Sequence, residues 1–311
     1  MCEKVIIPEK YIKKSDSGYE TINNFQSWQE VQTVFKLFLD GWIFRGQRCS
    51  EWELIPSIMR HMKEIDPDSF EPILVDIAKN KIKSQGEPSN LPKTELGWRA
   101  FIQHYGGKTR LLDFTTDSYI ATFFAFALDQ KNIKESDKEC AVWVINRRWL
   151  EKKASQKIEQ KLGHRIENNN FSSIFETIIE TDQFFPMVCP FVADWHDQRV
   201  RNQKSIFLCQ CDPCESFEDN LCNDQIGSHY EDVDTNYKEI ESYVKKIFIP
   251  IEFRADVIKS LESKNISTKT MLPGMNRFQY MEKIIKQAEA DAFKRRASLL
   301  DEIKKRKNRK P

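Results

Sequence analysis

Apolar residues first fall into a helical rhythm after Ser27. Val31, Val34, Phe35, Phe38 and Leu39 recur at the spacing that lays one stripe along a helix. Ser27 followed by Glu30 is a capping-box pattern at its start, and Gly41 closes it. Trp42-Ile43-Phe44-Arg45-Gly46-Gln47 then predicts a short buried strand ending in a polar turn. A turn at Glu53–Ser57 leads into a helical region reaching Ser84, and residues 86–93, rich in Gly, Pro and Ser, predict a loop. Leu96–Tyr105 predicts a helix with Trp98, Phe101 and Ile102 inward, and Tyr119–Ala127 a strongly apolar one. Further strands are predicted at Ala141–Ile145, Ser205–Cys209 and Ile247–Ile251, an edge strand at Val5-Ile6-Ile7, and a short helix at Asp256–Ser263. Residues 147–182 are polar and helical in pattern, without an evident apolar stripe, and read as an excursion able to cover a site. From Met281 a helix runs into a basic tail of Lys304, Lys305, Arg306, Lys307, Arg309 and Lys310. Strands and helices mix without regular alternation, which predicts an α+β fold.

One stretch departs from a plain amphipathic pattern. Gln103-His104-Tyr105-Gly106-Gly107-Lys108-Thr109-Arg110-Leu111-Leu112-Asp113-Phe114-Thr115 sets ionisable groups and two adjacent glycines against the most apolar helix of the chain. A solvated loop has no need of such a neighbour, so this segment is the candidate site.

Composition narrows the picture. At 311 residues the chain is long enough to bury a core without disulfides or metals. A net charge of +1 gives no global attraction to nucleic acid or membrane, and no stretch has the apolar length of a spanning helix. The eight cysteines, with no apolar leader after Met1, point to free thiols in a reducing cytoplasm. Abundant Lys, Ile and Asn suggest a low-GC bacterial source.

Phe44-Arg45-Gly46-Gln47, with Trp52, Leu54, Pro56 and Ser57 after it, resembles the opening of the FRG domain, a bacterial family named for its Phe-Arg-Gly motif. Gln103-His104-Tyr105-Gly106 and Thr109–Thr115 resemble its second block, which Ala121 and Phe123-Phe124-Ala125 continue. Arg199 with Gln203, Ser205 and Phe207 is similar to a third block, and Lys246, Ile249 and Leu272-Pro273-Gly274 to its end. Lys108 and Phe114 depart from the family pattern. The resemblance implies a short lead (1–24), one FRG-type domain (25–280) and a C-terminal helix with a basic tail (281–311).

A second resemblance is to ADP-ribosyltransferases with an Arg-Ser-Glu constellation. It implies a mixed, split β-sheet gripping NAD in a central cleft, flanked by helices. Arg45 would hold the pyrophosphate, as a guanidinium does bidentately. Thr115 or Ser118 would orient the nicotinamide ribose, and Tyr105 or Phe114 would stack on its ring. Gln203 stands where such enzymes place their acid, and Asp113 is the carboxylate able to substitute. Gln47, Arg110 and Arg199 complete the expected cofactor-binding set, and His104 is a candidate general base. The implied activity is ADP-ribosyl transfer to a protein or nucleic acid, in a toxin or phage-defence effector. The rivals are a non-catalytic nucleotide sensor and a metal-dependent nucleic-acid-processing enzyme using His104, Asp113 and His196.

Plainer readings stand beside these. Arg110 and Asp113 can form a buried ion pair that specifies structure. Gly106 and Gly107 fit a tight turn better than a phosphate loop. Cys209, Cys211, Cys214 and Cys222, with His229, offer one Cys-x-x-Cys pair where structural zinc sites usually show two, or one with a His pair, and the plainer reading is a set of reduced thiols. His196 and Asp197 suit a turn cap, and the tail suits a solvated helix end or a contact with nucleic acid or an acidic partner.

Overall fold

In the computed structural model the residues described are 7–13, 19–61, 67–85, 91–126, 138–163, 171–181, 184–195, 197–222 and 243–307. Eight strands form one open sheet: β1 (Ile12–Lys13), β2 (Glu20–Ile22), β3 (Trp42–Gln47), β4 (Leu111–Thr115), β5 (Glu139–Asn146), β6 (Val188–Phe191), β7 (Ser205–Gln210) and β8 (Val244–Pro250). Their order is β1-β2-β8-β5-β3-β4-β7-β6, with only β2 and β8 parallel, so the sheet is mixed and the fold α+β in a single domain.

The sheet parts in the middle. β3 pairs with β5 along its whole length, from Trp42↔Asn146 to Gln47↔Ala141, and β4 pairs with β7 from Leu111↔Cys209 to Thr115↔Ser205. Between β3 and β4 only Phe44↔Thr115 is paired. The helices are divided in the same way. On one half, α1 (Trp28–Phe35), α4 (Ser118–Phe126) and α9 (Arg254–Ser263) bury an apolar cluster with Phe44, Val142, Val144 and Ile247. On the other half, α2 (Pro67–Ser84), α3 (Glu95–His104), α6 (Phe171–Thr181) and α11 (Met275–Lys307) bury a second cluster with Leu111, Phe207 and Cys209. Residues opposite one another in a ladder share a face, so Phe44 and Thr115 place both clusters on the same side of the sheet. The reverse face carries Ile43, Leu112, Phe114, Trp143 and Ile206. It is backed by Trp149 and Leu150 of α5 (Arg147–Leu162) and by Phe217 and Leu221 of α8 (Phe217–Cys222). A groove therefore runs between two helical layers, above the parting strands.

Local signals explain most element ends. Ser27 Oγ accepts the Glu30 amide at 3.4 Å, while the Glu30 carboxylate reaches back to the Gln26 amide at 2.8 Å. Thr94 caps α3 by accepting the Gly97 N–H at 3.0 Å. α1 stops at Phe35, short of the apolar stripe; Phe38 is still buried, but Leu39 is 68% exposed. In its described residues the excursion expected over residues 147–182 packs into the core: Phe171, Phe175 and Ile178 of α6 are buried with α3, and no described residue of this segment lines the groove. The edge strand expected at residues 5–7 lies almost wholly outside the described residues; Ile7 is buried and not in a strand.

Candidate functional site

Position 46 admits no side chain. A Cβ there would lie 1.9 Å from the Ala121 carbonyl oxygen and 2.8 Å from the Ala125 nitrogen. Glycine thus lets α4 press onto β3, bringing Ala121 and Phe124 to the groove as one wall. The preceding two residues divide the remaining work. Phe44 is 4% exposed and anchors the strand in the core. Strand alternation puts Arg45 on the side of Ile43 and Gln47, but its guanidinium reaches into the gap between the parted strands. Its Nη1 donates to the Asp113 carbonyl at 2.7 Å, where a ladder bond would otherwise run.

The opposite wall is the end of α3. Gly106, at φ +82°, turns the chain out of the helix; its N–H donates to the Gln103 carbonyl at 2.9 Å and that of Gly107 to Ile102 at 2.8 Å. These two bonds make a Schellman end. Gly107 is small for a different reason, since a Cβ would stand 2.4 Å from Ile102 Cγ2. The turn delivers Gln103 to the floor. Its Oε1 accepts the Thr109 hydroxyl at 2.6 Å, so its Nε2 faces outward and donates to the Leu111 carbonyl at 3.1 Å and to Asp113 Oδ2 at 2.9 Å. Asp113 is an exposed residue in an otherwise buried strand, and Gln103 sets its direction.

Arg45, His104, Asp113, Thr115, Arg199 and Gln203 all line this cleft, whose volume is about 290 Å³. Arg199 comes from α7 (Gln198–Asn202), whose first turn Asp197 caps by accepting the Arg199 N–H at 2.7 Å. Burial lowers the pKa of both Arg45 and Arg199, and the Asp113 carboxylate opposes it by favouring their charged forms. The Nε atoms of both arginines are buried and have no hydrogen-bond partner. Charge-bearing donors left unmade in a cleft are expensive unless a ligand takes them. His104 is pushed down to about 4, first by burial and then by Arg199, with Asp197 at 3.7 Å opposing. It is a neutral imidazole near pH 7. Gln203 donates from Nε2 to the Met271 carbonyl at 2.8 Å, leaving its Oε1 as the group free of that bond. The Thr115 hydroxyl accepts the Asp117 N–H at 3.2 Å.

Four residues expected in this set lie elsewhere. Gln47 is buried and engaged on both ends, donating to the Glu53 carbonyl at 2.9 Å and accepting from Trp143 Nε1 at 2.7 Å. Arg110 does not pair with Asp113; it is buried against Glu71 at 2.6 Å, which also takes Arg99 at 3.0 Å. Burial alone would push Glu71 up, but Arg110 and Arg99 hold it below the usual carboxylate range. Ser118 is the first residue of α4 and does not line the cleft. Tyr105 faces the neighbouring cleft, where burial and Asp197 push its hydroxyl up to about 12. Sequence reasoning did not single out Gln103 as the group that aims Asp113; the signal was its place in the same motif.

The cysteines gather across neighbouring strands, not along the Cys211–Cys214 spacing. Cys209 and Cys211 are buried beside Cys189, with Cys189 and Cys211 sulfurs 3.9 Å apart, while Cys214 is exposed. The side chain of Cys222, His229 and His196 lie outside the described residues. Among the described residues no group of three or more His, Cys, Asp or Glu is placed to hold a metal ion. No described helix is long and apolar enough to cross a membrane.

Residues 40–134 match the family model of the FRG domain. The matched segment supplies β3, α3, β4 and α4, hence Arg45, Gln103, His104, Asp113 and Thr115; Arg199 and Gln203 come from beyond it. No curated protein and no solved structure matches the chain. The ADP-ribosyltransferase resemblance accordingly gains nothing from these comparisons.

Proposed function

We propose that the cleft binds a nucleotide pyrophosphate through Arg45 and Arg199, that NAD is the substrate, and that ADP-ribose passes to a macromolecular acceptor, as in a toxin or phage-defence effector. The observation that carries this reading is the Asp113 carboxylate standing between two arginines whose Nε donors are buried and unpartnered. The bond between the ribose anomeric carbon and the nicotinamide nitrogen breaks, and nicotinamide leaves with the electron pair. Asp113 faces the positive charge that develops on the sugar, and electrostatic stabilisation of such a centre is a large part of catalysis. The acceptor nucleophile forms the new bond at that carbon and gives up its proton, which Asp113 can take. Thr115 and the Gln203 Oε1 are the neutral groups able to meet the ribose hydroxyls.

One feature favours a second reading, a nucleotide sensor without turnover. Among the described residues lining the cleft Asp113 is the sole carboxylate, and the position expected to hold an acid is Gln203, pinned to Met271. The experiment is incubation of the purified chain with labelled NAD and bacterial lysate, separated into protein and nucleic-acid fractions, beside Arg45→Ala. Transferred label that the variant abolishes supports the transferase. Neither transfer nor nicotinamide release from folded protein overturns it and leaves the sensor.

A further inference from the structure

Next to the first cleft lies a second, of about 360 Å³, sharing His104 and Arg199 with it. Its polar side carries three guanidiniums, Arg199, Arg201 and Arg277, against one carboxylate, Asp197. That carboxylate is already engaged: it accepts the Arg199 N–H at 2.7 Å and the Tyr105 hydroxyl at 3.5 Å. Its apolar side is aromatic, built from Tyr105, Trp195 and Phe278. Trp195 is 2% exposed, and among the described residues neither its Nε1–H nor Arg199 Nε has a hydrogen-bond partner. A buried indole N–H ordinarily finds an acceptor. Arg199 lies over the Phe278 ring at 4.5 Å, so its charge is fixed at the boundary between arginines and aromatics. Pro273 and Gly274 form the rim, Gly274 turning the chain at φ +70° into α11, which brings Arg277 and Phe278 to the cleft.

We propose that this second cleft is a nucleoside monophosphate site, taking the phosphate on Arg199, Arg201 and Arg277 and a planar base on the aromatic wall, with the Trp195 N–H donating to an acceptor of the ligand. Guanidiniums beside aromatic faces match the two halves of a nucleotide, a di-anion and a π-surface. A simple anion would leave the aromatic wall unused. The proposal rests on the nucleotide reading of the first cleft in one respect: through shared Arg199 a ligand with two nucleotides joined by pyrophosphate would place one in each cleft.

The test is calorimetric titration of the full chain with AMP, adenosine and inorganic phosphate, using wild type, Arg277→Ala, Phe278→Ala and Arg45→Ala, each checked for fold by circular dichroism. Arg277 is exposed, so its truncation should leave the fold intact. AMP binding should weaken at least tenfold in Arg277→Ala and in Phe278→Ala and stay within twofold in Arg45→Ala. Adenosine and phosphate alone should each bind at least tenfold more weakly than AMP. No AMP binding, loss of AMP binding in Arg45→Ala alone, or phosphate binding as tight as AMP would each overturn it. If transfer from NAD fails while AMP binding persists and depends on Arg277 and Phe278, the transferase reading falls and this site stands.

Discussion

Arg110 and Asp113 leave the same short motif for opposite fates. Arg110 goes into the core, where Glu71 accepts its side chain and also takes Arg99, and all three residues are at most 1% exposed. Asp113 goes into the cleft between Arg45 and Arg199, whose Nε donors find no partner among the described residues. Each set has a carboxylate serving two arginines, and in the first Arg99 also pairs with Glu95 at 3.1 Å. What separates them is completeness: the first is closed on itself, and the second is short of acceptors. A closed buried ion network specifies a fold, whereas an open one in a cleft is poised for a ligand.

The largest effect expected from this contrast is on stability. Glu71→Gln leaves Arg110 buried without the carboxylate it pairs with, and Arg99 with Glu95 alone at 3.1 Å, and should cost about 3–5 kcal/mol in urea unfolding. A cost below about 1 kcal/mol would mean that the network is not structural and would erase the contrast. Because the folded pKa of Glu71 is depressed, its contribution is present above the ordinary carboxylate range and is lost as pH falls through the folded value.

His104 titrates in a higher window with the same sign, burial being what lowers its pKa. Its folded pKa of about 4 lies below the unfolded 6.5, so between these values the unfolded chain binds the proton and the folded one does not. Stability should therefore fall as pH drops from about 6.5 towards 4, by at most about 3 kcal/mol at 1.36 kcal/mol per pH unit. His104→Gln should flatten that slope above pH 5, where Glu71 remains ionised. An unchanged slope in the variant would place the titrating group elsewhere. The side chain sits between Arg199 and Asp197 at the junction of the two clefts, so a ligand phosphate bound there would raise its pKa and shrink the slope.

Periodicity made β3, α3, α4 and β5 legible, because each carries its own local signal, an apolar stripe or a continuous buried run. The split sheet was an expectation of resemblance, and the single ladder pair Phe44↔Thr115 between β3 and β4 is where the structure shows it. Partners distant in sequence were not legible. Glu71 sits mid-helix, 39 positions before Arg110, and nothing in its neighbours marks it as the acceptor of two guanidiniums. Cys189 joins Cys209 only through the register of β6 and β7, so a spacing rule applied to Cys211 and Cys214 looked along the wrong direction. The stripe Phe171, Phe175 and Ile178 was present in the sequence but diluted by the polar helix before it, and so an element of the core read as a cover.

The smallest stability effects should come from the open set, and there function separates the two arginine–carboxylate groups most sharply. Asp113→Asn keeps the shape of an exposed side chain and should change stability by no more than about 0.5 kcal/mol. Removing its charge leaves Arg45 and Arg199 with less internal competition, so an anionic nucleotide should bind as well or better. If the carboxylate serves chemistry, transfer from NAD should nonetheless fall at least a hundredfold, a loss in turnover with binding preserved. Arg45→Ala should show the reverse split, with NAD bound about tenfold or more weakly and stability changed by about 1 kcal/mol or less. Binding measured by calorimetry and turnover by nicotinamide release distinguish the two. Should Asp113→Asn bind more tightly and no turnover exist in either protein, the carboxylate acts as a placeholder that the ligand displaces, and the open set is the trigger of a sensor.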